Sequence, residues 1–162
     1  MIKNHPVLGE STLTEVQQPL LESIGDVSSI LASLRTERLF LVLDETAYEA
    51  SGAKDVLEPF LKQKAVERFT DFELNPKLED VQRGIEAYRG GEPDFVIALG
   101  GGTAIDLAKL IGSLAVQPES ARDIAIGNAS IQFDGKPMLA IPTTAGTGSE
   151  ATHFAVELNR DR

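Results

Sequence analysis

The chain alternates between strand-like apolar runs and segments in which apolar residues recur at helical spacing. The runs at residues 39–43, 94–99 and 138–141 predict strands covered on both faces, as in a parallel sheet. A shorter run at residues 66–72 predicts one more strand. Helical patterns separate these runs, which indicates βαβ units rather than hairpins.

The helical segments open near residue 25, after residue 52, at Asn75 and at Thr103. Asn75 is expected to cap the third helix, with Pro76 at its first helical position, because a missing N–H costs nothing there. Pro59 lies inside the second helix and is expected to kink or restart it. The polar stretch at residues 117–136 is expected to be a connection.

This alternation predicts a single α/β domain with an open, mainly parallel sheet and helices on both faces. The length of 162 residues suits one well-packed domain, since domains commonly run roughly 100–150 residues. No interdomain linker or internal repeat interrupts the pattern. We therefore take residues 1–162 as one unit.

Charge and composition narrow the function classes. The formal net charge of −10 disfavours nucleic acids and anionic membrane surfaces as partners. Cysteine is absent, which excludes disulfides and thiolate metal sites. No apolar run approaches the ~20 residues that a membrane-spanning helix needs, and we expect a cytoplasmic protein. An anionic small molecule can still bind, because backbone N–H groups supply local positive potential.

Three glycines, Gly100, Gly101 and Gly102, join a predicted buried strand to a predicted helix. Such a turn lets the backbone approach a ligand and presents its N–H groups, which suits a phosphate or pyrophosphate. The spacing of Thr103 and Asp106 is that of a capping box, a structural role. The turn is not a G-x-G-x-x-G fingerprint, and a tight packing turn is the alternative.

A second loop follows the strand at residues 138–141 and is rich in hydroxyl groups. Hydroxyls can hydrogen-bond a phosphate, a ribose or a carboxamide, although they can also satisfy their own backbone in a turn. The loop also contains Gly146 and Gly148, which keep its backbone accessible. The hydroxyl residues are Thr143, Thr144, Thr147 and Ser149.

Asp44 ends the first predicted strand. A carboxylate in this place can accept hydrogen bonds from a ribose diol and would repel a 2′-phosphate, which favours NAD over NADP. The alternative is a loop or helix-cap role for Asp44, and the neighbouring Glu45 could compete for the ribose.

Taken together, these segments resemble the nucleotide-binding, N-terminal domain of the iron-dependent (group III) alcohol dehydrogenase family. The resemblance rests on Leu99-Gly-Gly-Gly-Thr-Ala-Ile-Asp-Leu-Ala-Lys109 and on Pro137-Met-Leu-Ala-Ile-Pro-Thr-Thr-Ala-Gly-Thr-Gly-Ser-Glu150. Thr103 stands where the family usually has Ser. The resemblance implies a Rossmann-like fold, similar to the N-terminal domain of dehydroquinate synthase.

The resemblance also implies a set of cofactor-binding residues. Gly101, Gly102 and Thr103 would hold the pyrophosphate, and Asp106 would close the turn. The other implied contacts are Asp44 at the adenosine ribose, Asn75 facing the cofactor, Thr143, Thr144 and Thr147 lining it, and Phe154 near the nicotinamide.

The activity implied by the resemblance is reversible hydride transfer between an alcohol–aldehyde pair and NAD, or less favourably NADP. The family uses a divalent metal, iron or zinc, held by one Asp and three His in a C-terminal helical domain. This chain has only His5 and His153. We therefore expect the metal ligands, the catalytic residues and that domain to be missing from it. The chain alone would bind NAD without turning over an alcohol.

Alternatives remain open at this stage. One is a lyase-type relative of the dehydroquinate synthase kind, and another is a non-catalytic nucleotide-binding remnant. Residues 152–158 alternate like one face of a strand, with a hairpin turn at residues 159–161. A strand without its returning partner leaves an open edge, and we expect a homodimer.

Overall fold

The computed structural model of the chain describes residues 24–33 and 35–145. Helices and strands alternate along the described chain, as the sequence predicts. The strands are β1 (Arg38–Leu43), β2 (Ala65–Phe69), β3 (Phe95–Gly100) and β4 (Met138–Pro142). The helices are α1 (Ile24–Ser33), α2 (Glu45–Ala50), α3 (Ala53–Leu61), α4 (Leu78–Gly91), α5 (Gly102–Leu114) and α6 (Ala121–Ala125).

The described strands form one sheet in the order β2-β1-β3-β4, and every neighbouring pair is parallel. Leu41 of β1 pairs with Arg68 of β2 and with Ile97 of β3, and Ile97 in turn pairs with Leu139 of β4. The central strands β1 and β3 are buried almost throughout, which is why their sequences are unbroken apolar runs. The predicted open parallel α/β sheet is confirmed.

Helices cover both faces of the sheet, because side chains along each strand point alternately to opposite faces. Phe40 and Val42 of β1 pack on one side with α4, α5 and α6. Leu39, Leu41 and Leu43 pack on the other side with α1, α2 and α3. Each fully buried large apolar side chain contributes roughly 1.5–3 kcal/mol of transfer free energy, so both layers stabilise the sheet.

Three local predictions need correction. Helix α4 begins at Leu78 rather than at Pro76, because Asn75 has a φ of 64°, a left-handed conformation that cannot cap a helix there. Pro59 does not restart α3, which runs through it and ends at Leu61, so only one hydrogen bond of the last turn is lost. Strand β4 forms but is only half-buried, since it is the outermost strand on its side of the described sheet.

Two short helices, α2 and α6, were not predicted. Asp44 caps α2 and Ser120 caps α6, each accepting a hydrogen bond from a first-turn N–H group. Helices this short are marginal by themselves, so their sequences carry little periodicity. None of the described helices is long and apolar enough to span a membrane.

The phenolic group of Tyr88 offers a test of the packing between α4 and the sheet. The side chain is 4% exposed and lies edge-on to Phe40, with ring centroids 5.3 Å apart. Its hydroxyl is buried without a hydrogen-bond partner among the described residues, and burial raises its pKa. Because a buried, unsatisfied hydroxyl is unfavourable, Tyr88→Phe should leave the free energy of unfolding unchanged or raise it by about 1 kcal/mol. Urea unfolding checks this, and a clear loss of stability would reveal a partner for the hydroxyl.

Candidate functional site

The carboxyl ends of β1, β3 and β4 meet at one edge of the sheet, and each runs into a residue singled out in the sequence. Asp44 follows β1, and its N–H group donates to the carbonyl of Leu99 at 3.0 Å. Thr143 follows β4, and its N–H group donates to the carbonyl of Gly100 at 2.9 Å. The parallel topology therefore brings Asp44, the glycine turn and the hydroxyl loop together, where ligands of open α/β sheets bind.

Gly100 is required by both conformation and space. Its φ of 146° is one that other residues rarely adopt. A Cβ added at this position would lie 2.9 Å from the Cβ of Ala104 and 3.1 Å from the Cβ of Asp44. The turn is thus packed tightly against the start of α5 on one side and against the end of β1 on the other.

Gly101 has an ordinary φ of −77°, so its backbone conformation does not require glycine. Glycine is favoured at this position because neighbouring atoms lie close. A Cβ added there would lie 3.2 Å from the Oγ1 of Thr144 and 3.5 Å from its Cγ2. The glycine turn and the hydroxyl loop therefore approach each other closely at this point. Any side chain at residue 101 would enter the space between them.

The N-terminus of α5 has no side-chain cap among the described residues. Gly101 is the N-cap, Gly102 is the first helical residue, and the N–H group of Ile105 donates to the carbonyl of Gly101 at 3.3 Å. The capping box predicted for Thr103 and Asp106 is wrong, because the helix begins before Thr103. The N–H groups of the first turn are consequently left for a ligand, at the positive end of the helix dipole.

The hydroxyl of Thr103 has a different partner from the one expected. Its Oγ1 accepts a hydrogen bond from the N–H group of Asn75 at 3.4 Å, across 28 residues of sequence. Asn75 is exposed and holds its left-handed conformation in the loop before α4. This contact brings Asn75 to the glycine turn. The Asn-Pro pair predicts a helix start, and nothing in the sequence indicates this contact with Thr103.

Asp106 lies one turn inside α5, on the same face as Gly102 and Thr103. Its Oδ1 atom is buried and has no hydrogen-bond partner within the described part of the chain. A buried carboxylate oxygen without a donor costs about 1–3 kcal/mol or more, so this atom is suited to a donor that a ligand supplies.

Asp44 is the N-cap of α2, and its Oδ1 accepts a hydrogen bond from the N–H group of Ala47 at 3.0 Å. The cap alternative is therefore correct for this oxygen. The carboxylate has a second oxygen and lies against Gly100, so the cap does not exclude a ligand contact. Glu45 lies in the first turn of α2 and is exposed.

The structure places seven more of the predicted site residues at this edge of the sheet or beside it. Two others, Thr147 and Phe154, lie outside the described residues, as do His5, His153 and the predicted strand at residues 152–158. No group of three or more His, Asp or Glu side chains that could hold a metal ion occurs within residues 24–33 and 35–145. The seven placed residues are Asn75, Gly101, Gly102, Thr103, Asp106, Thr143 and Thr144, the last of which faces Gly101.

Solved structures of known proteins are similar to this chain in fold and sequence. A solved structure of similar fold is that of sulfoacetaldehyde reductase from Bifidobacterium kashiwanohense in complex with NAD+, with a TM-score of 0.72 and 31% identity. That match covers 85% of this chain and 36% of the reductase. An iron-containing alcohol dehydrogenase from Thermotoga maritima matches with a TM-score of 0.64 and 31% identity, over 76% of this chain and 34% of that one.

Curated relatives point the same way. Choline dehydrogenase from Bacillus subtilis is 35% identical over 136 residues, which are 82% of this chain and 34% of the relative. Long-chain-alcohol dehydrogenase 1 from Geobacillus thermodenitrificans is 32% identical over 151 residues, or 92% of this chain and 32% of the relative. The chain thus spans about a third of the length of these relatives.

The family model for iron-containing alcohol dehydrogenases matches residues 21–162, nearly the whole chain. The match includes both glycine-containing loops and the strands that carry them. The resemblance inferred from the sequence is confirmed: this chain belongs to the iron-containing alcohol dehydrogenase family.

Proposed function

We propose that this chain is the NAD-binding portion of a metal-dependent alcohol dehydrogenase, which interconverts an alcohol and an aldehyde. The observation that carries the proposal is the uncapped N-terminus of α5 behind a glycine turn in which a Cβ added at Gly100 or Gly101 would closely approach neighbouring atoms. Bound NAD supplies the hydride acceptor, or in its reduced form the hydride donor. This chain's residues bind and orient the cofactor.

The glycine turn would hold the pyrophosphate. Gly101 and Gly102 leave the backbone N–H groups unshielded, and the α5 dipole favours an anion at its N-terminus. The hydroxyl group of Thr144 lies close to Gly101, and the N–H group of Thr143 is hydrogen-bonded to Gly100. Thr103 would contribute through its N–H group, and its hydroxyl, which accepts from Asn75, still has a proton to donate. Thr147 stays a predicted contact of this loop.

Asp44 would bind the adenosine ribose. One carboxylate oxygen is held by the N-terminus of α2, which fixes the direction of the other. A second oxygen so fixed can accept a hydrogen bond from a ribose hydroxyl, and its negative charge repels a 2′-phosphate. This supports NAD rather than NADP as the cofactor.

Asp106 would receive a neutral donor of the cofactor rather than a phosphate. Phosphate oxygens carry negative charge and offer no proton at neutral pH, so they cannot satisfy the buried Oδ1 of Asp106. The nicotinamide riboside half carries both hydroxyl and carboxamide donors. We assign Asp106 to that half, and Asn75 and Phe154 remain predicted neighbours of the cofactor.

The described residues do not fit the divalent metal of the family, because they form no cluster of ligands and include no histidine. We propose that residues 1–162 form a nucleotide-binding domain and that the metal ligands, iron or zinc, belong to the length of the relatives that this chain does not span. The homodimer and the cytoplasmic location stay predictions.

Calorimetric titration of the folded chain tests the cofactor site. NAD+ and ADP should both bind, because both carry phosphates for the glycine turn and a ribose for Asp44. Asp106→Ala should weaken NAD+ binding about 10- to 100-fold, as expected for loss of a hydrogen bond to a charged group. The same variant should leave ADP binding within about twofold, since ADP lacks the nicotinamide riboside.

Glu86→Ala, at an exposed position of α4, serves as the control and should change neither affinity. Absence of NAD+ binding by the folded wild-type chain would contradict the proposed function. An equal loss of NAD+ and ADP binding in Asp106→Ala would contradict the assignment of Asp106 to the nicotinamide half.

A further inference from the structure

We propose that Tyr48, anchored by Glu58 and Arg68, is a positioning residue that holds the Asp44 carboxylate in place for recognition of a ribose diol. The inference rests on the proposed function, since it takes Asp44 as the ribose-binding residue. It assigns a role in cofactor discrimination to three residues that lie behind Asp44.

Tyr48 is the main attachment of helix α2, with the partly buried Ala47 and the ion pair between Glu49 and Lys54 of α3 as further contacts. The helix is six residues long, and Tyr48 is its buried residue, at 4% exposure. An isolated helix of this length is not stable in water, so tertiary contacts must hold it. The orientation of α2 on the sheet therefore depends mainly on how Tyr48 is held.

A chain of contacts ties Tyr48 to two other elements. Its hydroxyl donates to the Oε1 of Glu58 on α3 at 2.8 Å. Arg68 on β2 donates from Nη2 to the same oxygen at 2.7 Å, and its guanidinium carbon lies 6.0 Å from the centroid of the Tyr48 ring. Glu58 is only partly exposed, so solvent does not replace these bonds freely. These contacts between Tyr48, Glu58 and Arg68 link α2, α3 and β2.

The protonation states required by this link persist around neutral pH. Burial, together with the neighbouring Glu58 carboxylate, raises the pKa of Tyr48 well above 10.0, so its hydroxyl remains a donor. Hydrogen bonds from Arg68 and then from Tyr48 lower the pKa of Glu58 below 4.5. A carboxyl with a lowered pKa contributes stability above its ordinary pKa and loses it only as the pH falls through the lowered value.

The link reaches Asp44 through the backbone of α2. The N–H group of Tyr48 donates to the carbonyl of Asp44 at 2.8 Å, and the N–H group of Ala47 donates to its Oδ1 at 3.0 Å. On the other side, the N–H group of Asp44 donates to Leu99 of β3. Asp44 is thus held between the sheet and α2. A change in the tilt of α2 changes the direction of the carboxylate oxygen that remains for a ligand.

The test compares ADP with 2′-deoxy-ADP. The two nucleotides differ only in the 2′-hydroxyl, one of the two hydroxyls of the ribose diol that Asp44 is proposed to bind. In the wild-type chain ADP should bind roughly tenfold more tightly, the effect of a hydrogen bond to a charged acceptor. Asp44→Ser keeps an N-cap but removes the carboxylate, so the affinity ratio should fall to about one. Tyr48→Phe removes only the anchoring hydroxyl and should reduce the ratio by about threefold, with 2′-deoxy-ADP binding within about twofold of the wild type.

Tyr88→Phe is the matched control, because it removes a buried tyrosine hydroxyl on the opposite face of the sheet. It should leave the ratio unchanged. Glu58→Gln removes the charge at the centre of the link and provides a second variant, expected to lower the ratio in the same direction. Circular dichroism confirms that each variant is folded.

The outcomes distinguish the positioning role of Tyr48 from the ribose contact of Asp44. An unchanged ratio in folded Tyr48→Phe and Glu58→Gln, together with a lowered ratio in Asp44→Ser, overturns the positioning role and leaves the proposed function intact. An unchanged ratio in Asp44→Ser overturns the ribose assignment, and with it the positioning role. Equal weakening of both nucleotides by Tyr48→Phe indicates a merely structural role and also overturns the inference.

Discussion

Gly84→Ala is expected to destabilise the folded chain by about 1–3 kcal/mol, although glycine to alanine normally strengthens the interior of a helix by up to about 1 kcal/mol. Gly84 lies in the middle of α4, where the helix packs on α5. A Cβ added at this position would lie 2.7 Å from the Cγ1 of Ile111, and closer still to its Cδ1. Ile111 is fully buried in an interior that packs closely, so turning its side chain is unfavourable. Either Ile111 must leave its rotamer or the two helices must move apart, and both destabilise the fold.

The same helix offers a matched control for this prediction. Gly90 is exposed, and an added Cβ would meet nothing within 4 Å. Gly90→Ala should therefore be neutral or slightly stabilising in urea unfolding. In an Ile111→Ala background the penalty of Gly84→Ala should disappear, so that a double-mutant cycle gives a coupling energy of 1–3 kcal/mol, roughly the overpacking cost. Destabilisation by Gly84→Ala that persists without Ile111 would mean that its cause is not this contact.

The sheet was predictable because a strand that is buried on both faces has an almost entirely apolar sequence. β1 and β3 are covered on both faces, so nearly every position must be apolar, and both appear as unbroken runs. Parallel order follows from the intervening helices, since parallel strands require crossover connections. These are properties of long segments, which local chemistry rarely overrides.

Helix ends were less predictable because they depend on single residues whose conformation the sequence leaves open. Asn75 followed by proline suits a helix start, yet Asn75 takes a left-handed conformation and its N–H group donates to Thr103. Thr103 and Asp106 have capping-box spacing, yet Gly101 already occupies the cap. In each case a partner distant in sequence, or a competing neighbour, decided between two allowed local structures.

The residues of the candidate site could be predicted from the sequence, but the contacts that these residues make could not. Topology alone places Asp44, the glycine turn and Thr143 at one edge, because the ends of parallel strands coincide. The sequence could not show that Asp44 caps α2, nor that the Oδ1 of Asp106 is buried without a partner. These contacts depend on side-chain positions that packing determines. The proposed assignment of each residue to a part of the cofactor rests on them.

Gly101→Val is expected to weaken the binding of both nucleotides, whereas Asp106→Ala weakens the binding of NAD+ alone. The valine Cβ would lie 3.2 Å from the Oγ1 of Thr144, and its methyl groups would fill the space between the two loops. Because the φ of Gly101 is ordinary, the backbone can accept valine, and circular dichroism checks that the variant is folded before binding is measured. NAD+ and ADP should both bind about 10- to 100-fold more weakly, because both place phosphates in that space.

Calorimetry with both nucleotides measures this loss, and Gly90→Val in α4 is the control, since Gly90 is exposed and an added Cβ meets nothing within 4 Å. The pattern differs from that of Asp106→Ala, which should affect NAD+ alone. A common loss from Gly101→Val and a selective loss from Asp106→Ala would place the phosphates at the turn and the nicotinamide riboside beyond it, along the same face of α5. If Gly101→Val binds ADP as tightly as the wild type, the phosphates do not lie at the N-terminus of α5, and the cofactor must approach the sheet edge in another orientation.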